Sequence, residues 1–445
     1  MKEHKLTIRE LILLASVIFG MFFGAANLIF PVQLGQAAGN HWVPALIGFL
    51  VTGTIVPFLA MLAVSLTNSK SIYDLAAPVA PWFGLAVLIA VHFTLGPLAA
   101  TPRSAATAFE MGIAPLLKKS DQPLAMLIFS AIYFIALYFS TLKQSRLIKL
   151  IGKYLNPLFL IFLAVILILA FVLPMGNVHH ASQALYQSQP LLNGILDGYN
   201  TLDGLCLLGL TISIVYTTKN LGFHDKAIPK ALAQAGLLSI ILEAVLYAAL
   251  VWLGVTSLGS IPLAENGGIA FGQIIGHYLG NLGILFTGIL VVLAVFTTAM
   301  GLSASFGQDL HRAFPKIPYS VWLAVVTGGS FITANAGLTN IIKFTVPIVR
   351  LLYPLALVLI ILGLFNHWIK QSPIIYRAGI ILVVPEAILD FLIASPFHNL
   401  GFVQDATKFY YQFIPFAEQG FGWFVPAVIG ITIGIIWQHS KGKLA

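Results

Sequence analysis

Of 445 residues, 23 are Lys or Arg and 15 are Asp or Glu, so 9% of the chain is charged against about 25% in an ordinary soluble domain. Hydrophobic residues make up 59% and mean hydropathy is +0.94, which excludes a water-soluble globule and points to a polytopic membrane protein. A single cysteine, Cys206, without a CxxC or HExxH pattern, argues against disulfide, redox and zinc chemistry, and a net charge of +8 scattered in short clusters argues against nucleic acid.

A spanning helix needs about 20 apolar residues, and the chain offers twelve candidate runs in order: 11–34, 42–66, 82–112, 123–141, 150–173, 195–219, 230–257, 274–308, 319–335, 339–363, 373–394 and 420–438. All are expected to be helices, because lipid-exposed backbone must satisfy its hydrogen bonds internally and the alternation of barrel strands is absent. The first run is not read as a signal peptide. Lys2, Lys5 and Arg9 precede it and Gly24-Ala25-Ala26 resembles a cleavage site, yet the apolar run continues through Leu28, Ile29 and Phe30, beyond a typical h-region.

Cytoplasmic loops carry an excess of Lys and Arg. With the N-terminus inside, 17 of the 23 basic residues fall inside, including Lys2, Lys5, Arg9, Lys70, the cluster from Lys143 to Lys153, Lys219, Lys226, Lys230, Lys441 and Lys443. The exceptions are Arg103, Lys118, Lys119, Lys343, Arg350 and Lys408. Both termini are expected in the cytoplasm.

The first run contains Gly20-Met21-Phe22-Phe23-Gly24-Ala25-Ala26-Asn27, closed by Pro31. Gly and Asn are poor helix formers, and an unwound turn at bilayer depth makes sense only beside a polar cavity. The half-helix after the break would aim its amides, including those of Ala26 and Asn27, at an anion such as a carboxylate. Freed carbonyls before it could hold a cation. The competing reading makes Gly20 and Gly24 a small-residue packing face on a continuous helix. The sixth run favours the break, because Gly204, Gly209, Thr211 and Ser213 interrupt it in the same way five helices later. Paired broken helices in corresponding positions mark a transporter's binding site. Residues 11–174 and 195–363 are then two five-helix repeats of inverted topology, and 373–438 holds two peripheral helices.

Three segments resemble the bacterial branched-chain amino acid:cation symporters: Phe22-Phe23-Gly24-Ala25-Ala26-Asn27-Leu28-Ile29-Phe30-Pro31, Gly96-Pro97-Leu98-Ala99-Ala100-Thr101-Pro102-Arg103-Ser104-Ala105 with Phe109-Glu110, and Thr297-Thr298-Ala299-Met300-Gly301-Leu302. The resemblance implies uptake of leucine, isoleucine and valine driven by an ion gradient, on a leucine-transporter-type (LeuT) fold of about twelve helices with the first and sixth broken. Gly20, Gly24 and Asn27 fall where that wider fold also has Gly, Gly and Asn. The resemblance further implies a sodium site made by Ala294, Thr297 and Thr298 with the carbonyls of Gly20 and Phe23. Residues at i, i+3 and i+4 do share one helix face, and hard cations prefer oxygen ligands; back-bonding of the two threonines to their own helix is the competing reading. For the substrate it implies that the amides of Ala25 and Ala26 take the carboxylate, while carbonyls near Phe22, Gly209 and Leu210 take the ammonium. Phe23, Leu207, Leu208 and Leu210 are candidate walls for an aliphatic side chain. Where the family has Phe-Gly in the sixth helix this chain has Leu210-Thr211, and Thr211 adds a hydroxyl.

Ionisable residues within spans are functional suspects. Glu243 sits among Ile240, Ile241, Leu242, Ala244 and Val245, as a candidate proton carrier or as a structural partner of Lys343 or Arg350. His92 reads as a hydrogen-bonded packing histidine or a proton relay, and Lys153 as a snorkelling lysine or a substitute for a bound cation. Arg103 with Glu110, and Glu386 with Asp390, each share a helix face. His179 and His180 lack a third metal ligand. The sequence thus predicts a sodium-coupled, multi-pass symporter of the cell membrane that needs no cofactor beyond its coupling ion. Proton coupling through Glu243 is the alternative. No nucleophile, acid or metal set supports a membrane-embedded enzyme, and nothing suggests a channel's continuous polar pore.

Overall fold

The computed structural model describes residues 6–142, 156–223 and 227–440, and the described chain contains helices and no strand. In order the helices are α1 (Ile8–Phe22), α2 (Ala25–Ala38), α3 (Trp42–Leu50), α4 (Val56–Leu66), α5 (Ile72–Ala76), α6 (Pro81–Phe93), α7 (Ala100–Gly112), α8 (Gln122–Leu142), α9 (Asn156–Val172) and α10 (Ala184–Ser188). There follow α11 (Pro190–Tyr199), α12 (Asp203–Asn220), α13 (Ile228–Ser257), α14 (Gly267–Ala313), α15 (Tyr319–Ala334), α16 (Leu338–Leu364), α17 (Asn366–Ile369), α18 (Pro373–Ala394), α19 (Gly401–Phe413) and α20 (Phe424–Ser440). Lys2, Lys5, Lys226, Lys441, Lys443 and the basic cluster from Lys143 to Lys153, all used to orient the chain, lie outside the described residues.

Among the described residues six helical stretches are long and apolar enough to cross a membrane, and the bent pair α11 and α12 makes a seventh. Shorter apolar helices lie at Leu160–Val172, Tyr319–Ala334 and Phe424–Ser440. One of the long stretches, Ala25–Leu66, has 42 residues; straight, it would measure about 63 Å, twice the hydrocarbon core. It leaves helical geometry at Gly39 (φ 49°), so α2 and α3 are separate helices that pack on each other. The run expected at 274–308 also differs: α14 starts at Gly267 and kinks at Gly280 (φ 62°).

Local chemistry sets several of these ends. Thr7 and Glu10 cap α1 reciprocally: the Thr7 hydroxyl accepts from the Glu10 amide at 3.3 Å and the Glu10 carboxylate from the Thr7 amide at 2.9 Å, an arrangement that satisfies two otherwise orphaned donors. Asn266 opens α14 by accepting from the Gly268 and Ile269 amides at 2.8 and 3.0 Å.

Helix α2 is the axle of the fold. Only Ala26 and Gln33 among its residues are not buried, as expected of a helix that is apolar all round. It packs against α13, α14 and α7. Between lipid-embedded helices close backbone approach replaces the hydrophobic drive, and glycines permit it here. A Cβ added at Gly35 would lie 2.1 Å from the Val251 carbonyl oxygen, one at Gly254 2.2 Å from that of Val32, and one at Gly267 1.8 Å from that of Ile29.

Candidate substrate and ion site at two helix breaks

Helix α1 stops at Phe22, Phe23 and Gly24 are extended (ψ 99° and −159°), and α2 restarts at Ala25. This break lies within the stretch that composition marked. It leaves first-turn amides of α2 without intrahelical acceptors and last-turn carbonyls of α1 without donors. The Gly24 amide is taken by Asn27, whose Oδ1 accepts it at 2.8 Å.

The second break is displaced from its expected place. The run 195–219 unwinds at Asn200-Thr201-Leu202, between α11 and α12, with Leu202 in the left-handed region (φ 66°). The two pieces meet at 40°. Leu208, Gly209, Leu210 and Thr211, assigned to the break from the sequence, instead lie inside continuous α12, where the Thr211 hydroxyl donates to the Leu207 carbonyl. A glycine within a helix costs only about 1 kcal/mol, so Gly204 and Gly209 are tolerated there. The chain opens where a distant donor meets the freed carbonyl: Arg103 Nη1 donates to the Asn200 oxygen at 2.7 Å.

Arg103 reaches this point from α7 because α6 and α7 are themselves parted by an irregular turn at Thr94–Leu98, with Gly96 outside helical geometry. Pro97 has no amide to donate there. The Arg103 side chain is 1% exposed; Nη2 donates to Thr345 Oγ1 at 2.5 Å, and the guanidinium lies 5.3 Å above the Phe30 ring. A lysine cannot make both hydrogen bonds and the stacked contact. Arg103→Lys is expected to cost about 2 kcal/mol and to lower the apparent melting temperature in detergent by about 3–5 °C, read by scanning fluorimetry.

The two breaks face each other across a narrow cleft of about 30 Å³, lined by Ala25, Ala26, Arg103, Thr201, Asp203 and Thr298 among others. That is room for about two waters, so the cleft has to widen before it holds a small molecule. Asn27 joins the breaks. Its Nδ2 lies 2.7 Å from Asp203 Oδ2, 3.2 Å from Glu243 Oε1 and 2.5 Å from the Tyr247 hydroxyl, which itself donates to Asp203 Oδ2 at 3.1 Å. All four side chains are buried. The expected pairing of Glu243 with Lys343 or Arg350 does not occur. Its hydrogen-bond partner is Asn27, which the packing of α2 on α13 brings closer.

Thr298 stands against the first break: a Cβ on Gly24 would meet its Cγ2 at 3.3 Å and its Oγ1 at 3.6 Å. Its buried hydroxyl has no hydrogen-bond partner among the described residues. Thr297 donates to the Ala294 carbonyl at 2.7 Å, keeping its lone pairs free. Phe23 stacks on Phe19, ring centroids 4.7 Å apart, and Gly20 lies in the last turn of α1.

The other residues singled out fall elsewhere. His92 Nε2 lies 2.9 Å from Asp309 Oδ2, and Arg312 reaches the same carboxylate at 3.3 Å. Glu110 lies near Asn266 and Gly268 rather than beside Arg103. Asp390 meets Tyr410 at 3.3 Å in the α18 and α19 region. Among the described residues no group of three metal-ligating side chains surrounds His179 and His180 or any other point, and Lys153 lies outside the described residues. Sequence reasoning missed Asp203 and Tyr247. Asp203 was within reach, since an acidic residue inside an apolar run is itself a signal; the tyrosine carried none.

The fold has a solved counterpart. The chain resembles Mhp1, a nucleobase-cation-symport-1 family transporter solved in a closed conformation with bromovinylhydantoin bound, at a TM-score of 0.55 and 14% identity over 97% of this chain and 93% of that one. At that identity the likeness is one of fold, a bundle of membrane-capable helices. A family model described as branched-chain amino acid transport protein matches residues 7–441. The branched-chain amino acid permease BrnQ of Lactobacillus delbrueckii subsp. lactis is 36% identical over 97% of each chain, and BraB of Bacillus subtilis is 34% identical over 98% of this chain and 96% of its own. BrnQ of Escherichia coli K12 is 30% identical over 99% and 98%. The chain belongs to the branched-chain amino acid transport protein family.

Proposed function

We propose that this protein imports leucine, isoleucine and valine across the cell membrane by sodium symport, through alternating access to the cleft between the two breaks. The observation that carries this reading is the pair of unwound turns facing one cleft, with first-turn residues of α2 and α12 both lining it. The amides of Ala25 and Ala26 take the substrate carboxylate, assisted by the positive end of α2. Carbonyls freed at Phe22 and at Thr201 take the ammonium. Apolar groups such as Leu202, Cys206, Val295 and Leu302 face the aliphatic side chain and give no hydrogen bond to a polar one.

Sodium binds between α1 and α14, held by the Gly20, Phe23 and Ala294 carbonyls and the Thr297 and Thr298 hydroxyls. The unpartnered Thr298 oxygen beside Gly24 supports this: a buried hydroxyl without a partner costs free energy that a bound cation returns. The sodium couples to substrate because both use α1 and α2 on either side of one break. The architecture that goes with this reading is twelve spans. Residues 11–174 and 195–363 form inverted repeats, 373–438 the peripheral pair, and both termini are cytoplasmic.

Leucine uptake into proteoliposomes with independently set sodium and pH gradients tests the reading. Uptake is expected to follow an inward sodium gradient and to be competed by isoleucine and valine; failure of either overturns that part. Thr298→Ala is expected to raise the half-saturating sodium concentration about tenfold, the equivalent of one lost ligand at about 1.4 kcal/mol. An unchanged sodium curve would remove Thr298 from the site.

A further inference from the structure

The Asn27 cluster holds fewer protons than its contacts require. Its four contacts are Asn27 Nδ2 to Asp203 Oδ2, to Glu243 Oε1 and to the Tyr247 hydroxyl, and the Tyr247 hydroxyl to Asp203 Oδ2. The bond from the Gly24 amide to Asn27 Oδ1 fixes which end of the amide faces the carboxyls. Asn27 Nδ2 then supplies two protons and Tyr247 one, so with both carboxyls ionised three protons serve four contacts. Glu243 Oε2 has no partner among the described residues although the residue is 0% exposed. No Lys, Arg or His pairs with either carboxyl among the described residues. Two carboxylates gathered on one nitrogen without a cation do not both stay ionised while the cleft is shut off from water.

The neighbouring elements bring little that could substitute for that cation. Helices α2, α3, α4 and α9 contain no ionisable residue, and α1 has only Arg9 and Glu10 at its far end. The other ionisable groups in electrostatic reach are Cys206 on α12, Tyr353 on α16 and, through Cys206, Arg103 on α7. Arg103 is committed to Asn200 and Thr345, and α14 directs Asp309 to His92 and Arg312.

We propose that Asp203 and Glu243 share one exchangeable proton, a second coupling ion beside sodium, loaded and released as the cleft opens to either side. Asp203 lines the cleft and begins α12, while Asn27 lies in the first turn of α2, so the pair sits on the junction between the two breaks. On the outer side a proton from water bonds to a carboxylate oxygen and takes the pair from two negative charges to one. On the inner side the same O–H bond breaks and the proton returns to water. Asn27 and Tyr247 act as positioning residues that hold the two carboxyls together. The inference rests on alternating access to this cleft and is independent of which residues bind sodium.

The test is leucine addition to proteoliposomes containing a luminal pH dye, with sodium equal on both sides and the potential clamped. Wild-type protein is expected to acidify the lumen in step with leucine entry. Glu243→Gln and Asp203→Asn, which keep the shape and remove the exchangeable proton, are expected to lose that acidification. Their folding is checked by leucine-dependent thermal stabilisation in detergent. Leucine entry without acidification in the wild type overturns the proposal, as does normal acidification in both variants. If neither variant folds, proton uptake or release by the wild type on adding leucine in weak buffer decides, and none would overturn it. Sodium-gradient uptake in the same vesicles separates the two readings: acidification without a sodium response removes the sodium site only, and a sodium response without acidification removes the shared proton only.

Discussion

Replacing Asn27 by alanine is expected to cut the initial rate of leucine uptake to about 1% of wild type or less. One amide here serves the Gly24 amide at the first break, Asp203 at the second, and Glu243 and Tyr247 on α13. Each buried polar group left without a partner costs about 1–3 kcal/mol, and about 2.7 kcal/mol lost from the transport barrier is already a hundredfold. The defect has to appear as rate rather than only as stability, because the bridge couples two unwound segments that must move during alternating access. Asn27→Asp, similar in size but with no N–H to offer and a third carboxyl added, is expected to be as severe. Labelled leucine uptake normalised to reconstituted protein measures both. A rate above about a tenth of wild type in either variant, worth less than about 1.4 kcal/mol, would mean that the two breaks work without the bridge.

The largest expected loss of stability comes from a methyl group. A Cβ at Gly35 would lie 2.1 Å from the Val251 oxygen, and one at Gly254 2.2 Å from the Val32 oxygen; both obstacles are backbone, so no rotamer relieves them. Relief needs α2 and α13 to part by about 1 Å or more to restore ordinary contact. That displacement costs about 3 kcal/mol and lowers the apparent melting temperature by about 3 °C or more. It also moves Asn27 relative to Glu243 and Tyr247, so uptake falls with it. Gly328→Ala is the control, since nothing lies within 4 Å of a Cβ there and its melting temperature is expected to stay within about 1 °C of wild type. A Gly35→Ala protein as stable as that control would contradict the close crossing of α2 and α13.

Glycine and asparagine in an apolar run locate the first break because the helix there fails for local reasons, and its signal sits within eight residues, Gly20 to Asn27. The second break has no comparable signal. Gly204 and Gly209 are more conspicuous in the sequence than Asn200-Thr201-Leu202, yet the helix runs through them. The carbonyl left at Asn200 is met by a guanidinium 97 residues away, which the bend between α6 and α7 brings within reach. A charge inside an apolar run marks Glu243, but its partner Asn27 lies 216 residues distant, and nothing local distinguishes that partner from Lys343 or Arg350.

By itself the sequence determined the solvent, the helical class and the first break. Scarce charge, 20-residue apolar runs and weak helix formers act locally or on average, and need no knowledge of neighbours. Tertiary structure alone decided where the second helix opens, which carboxyls meet, and that Arg103 holds a carbonyl rather than pairing with Glu110. In lipid, a polar group has no water to fall back on, so its role is set by whichever distant partner the packing brings within hydrogen-bond reach.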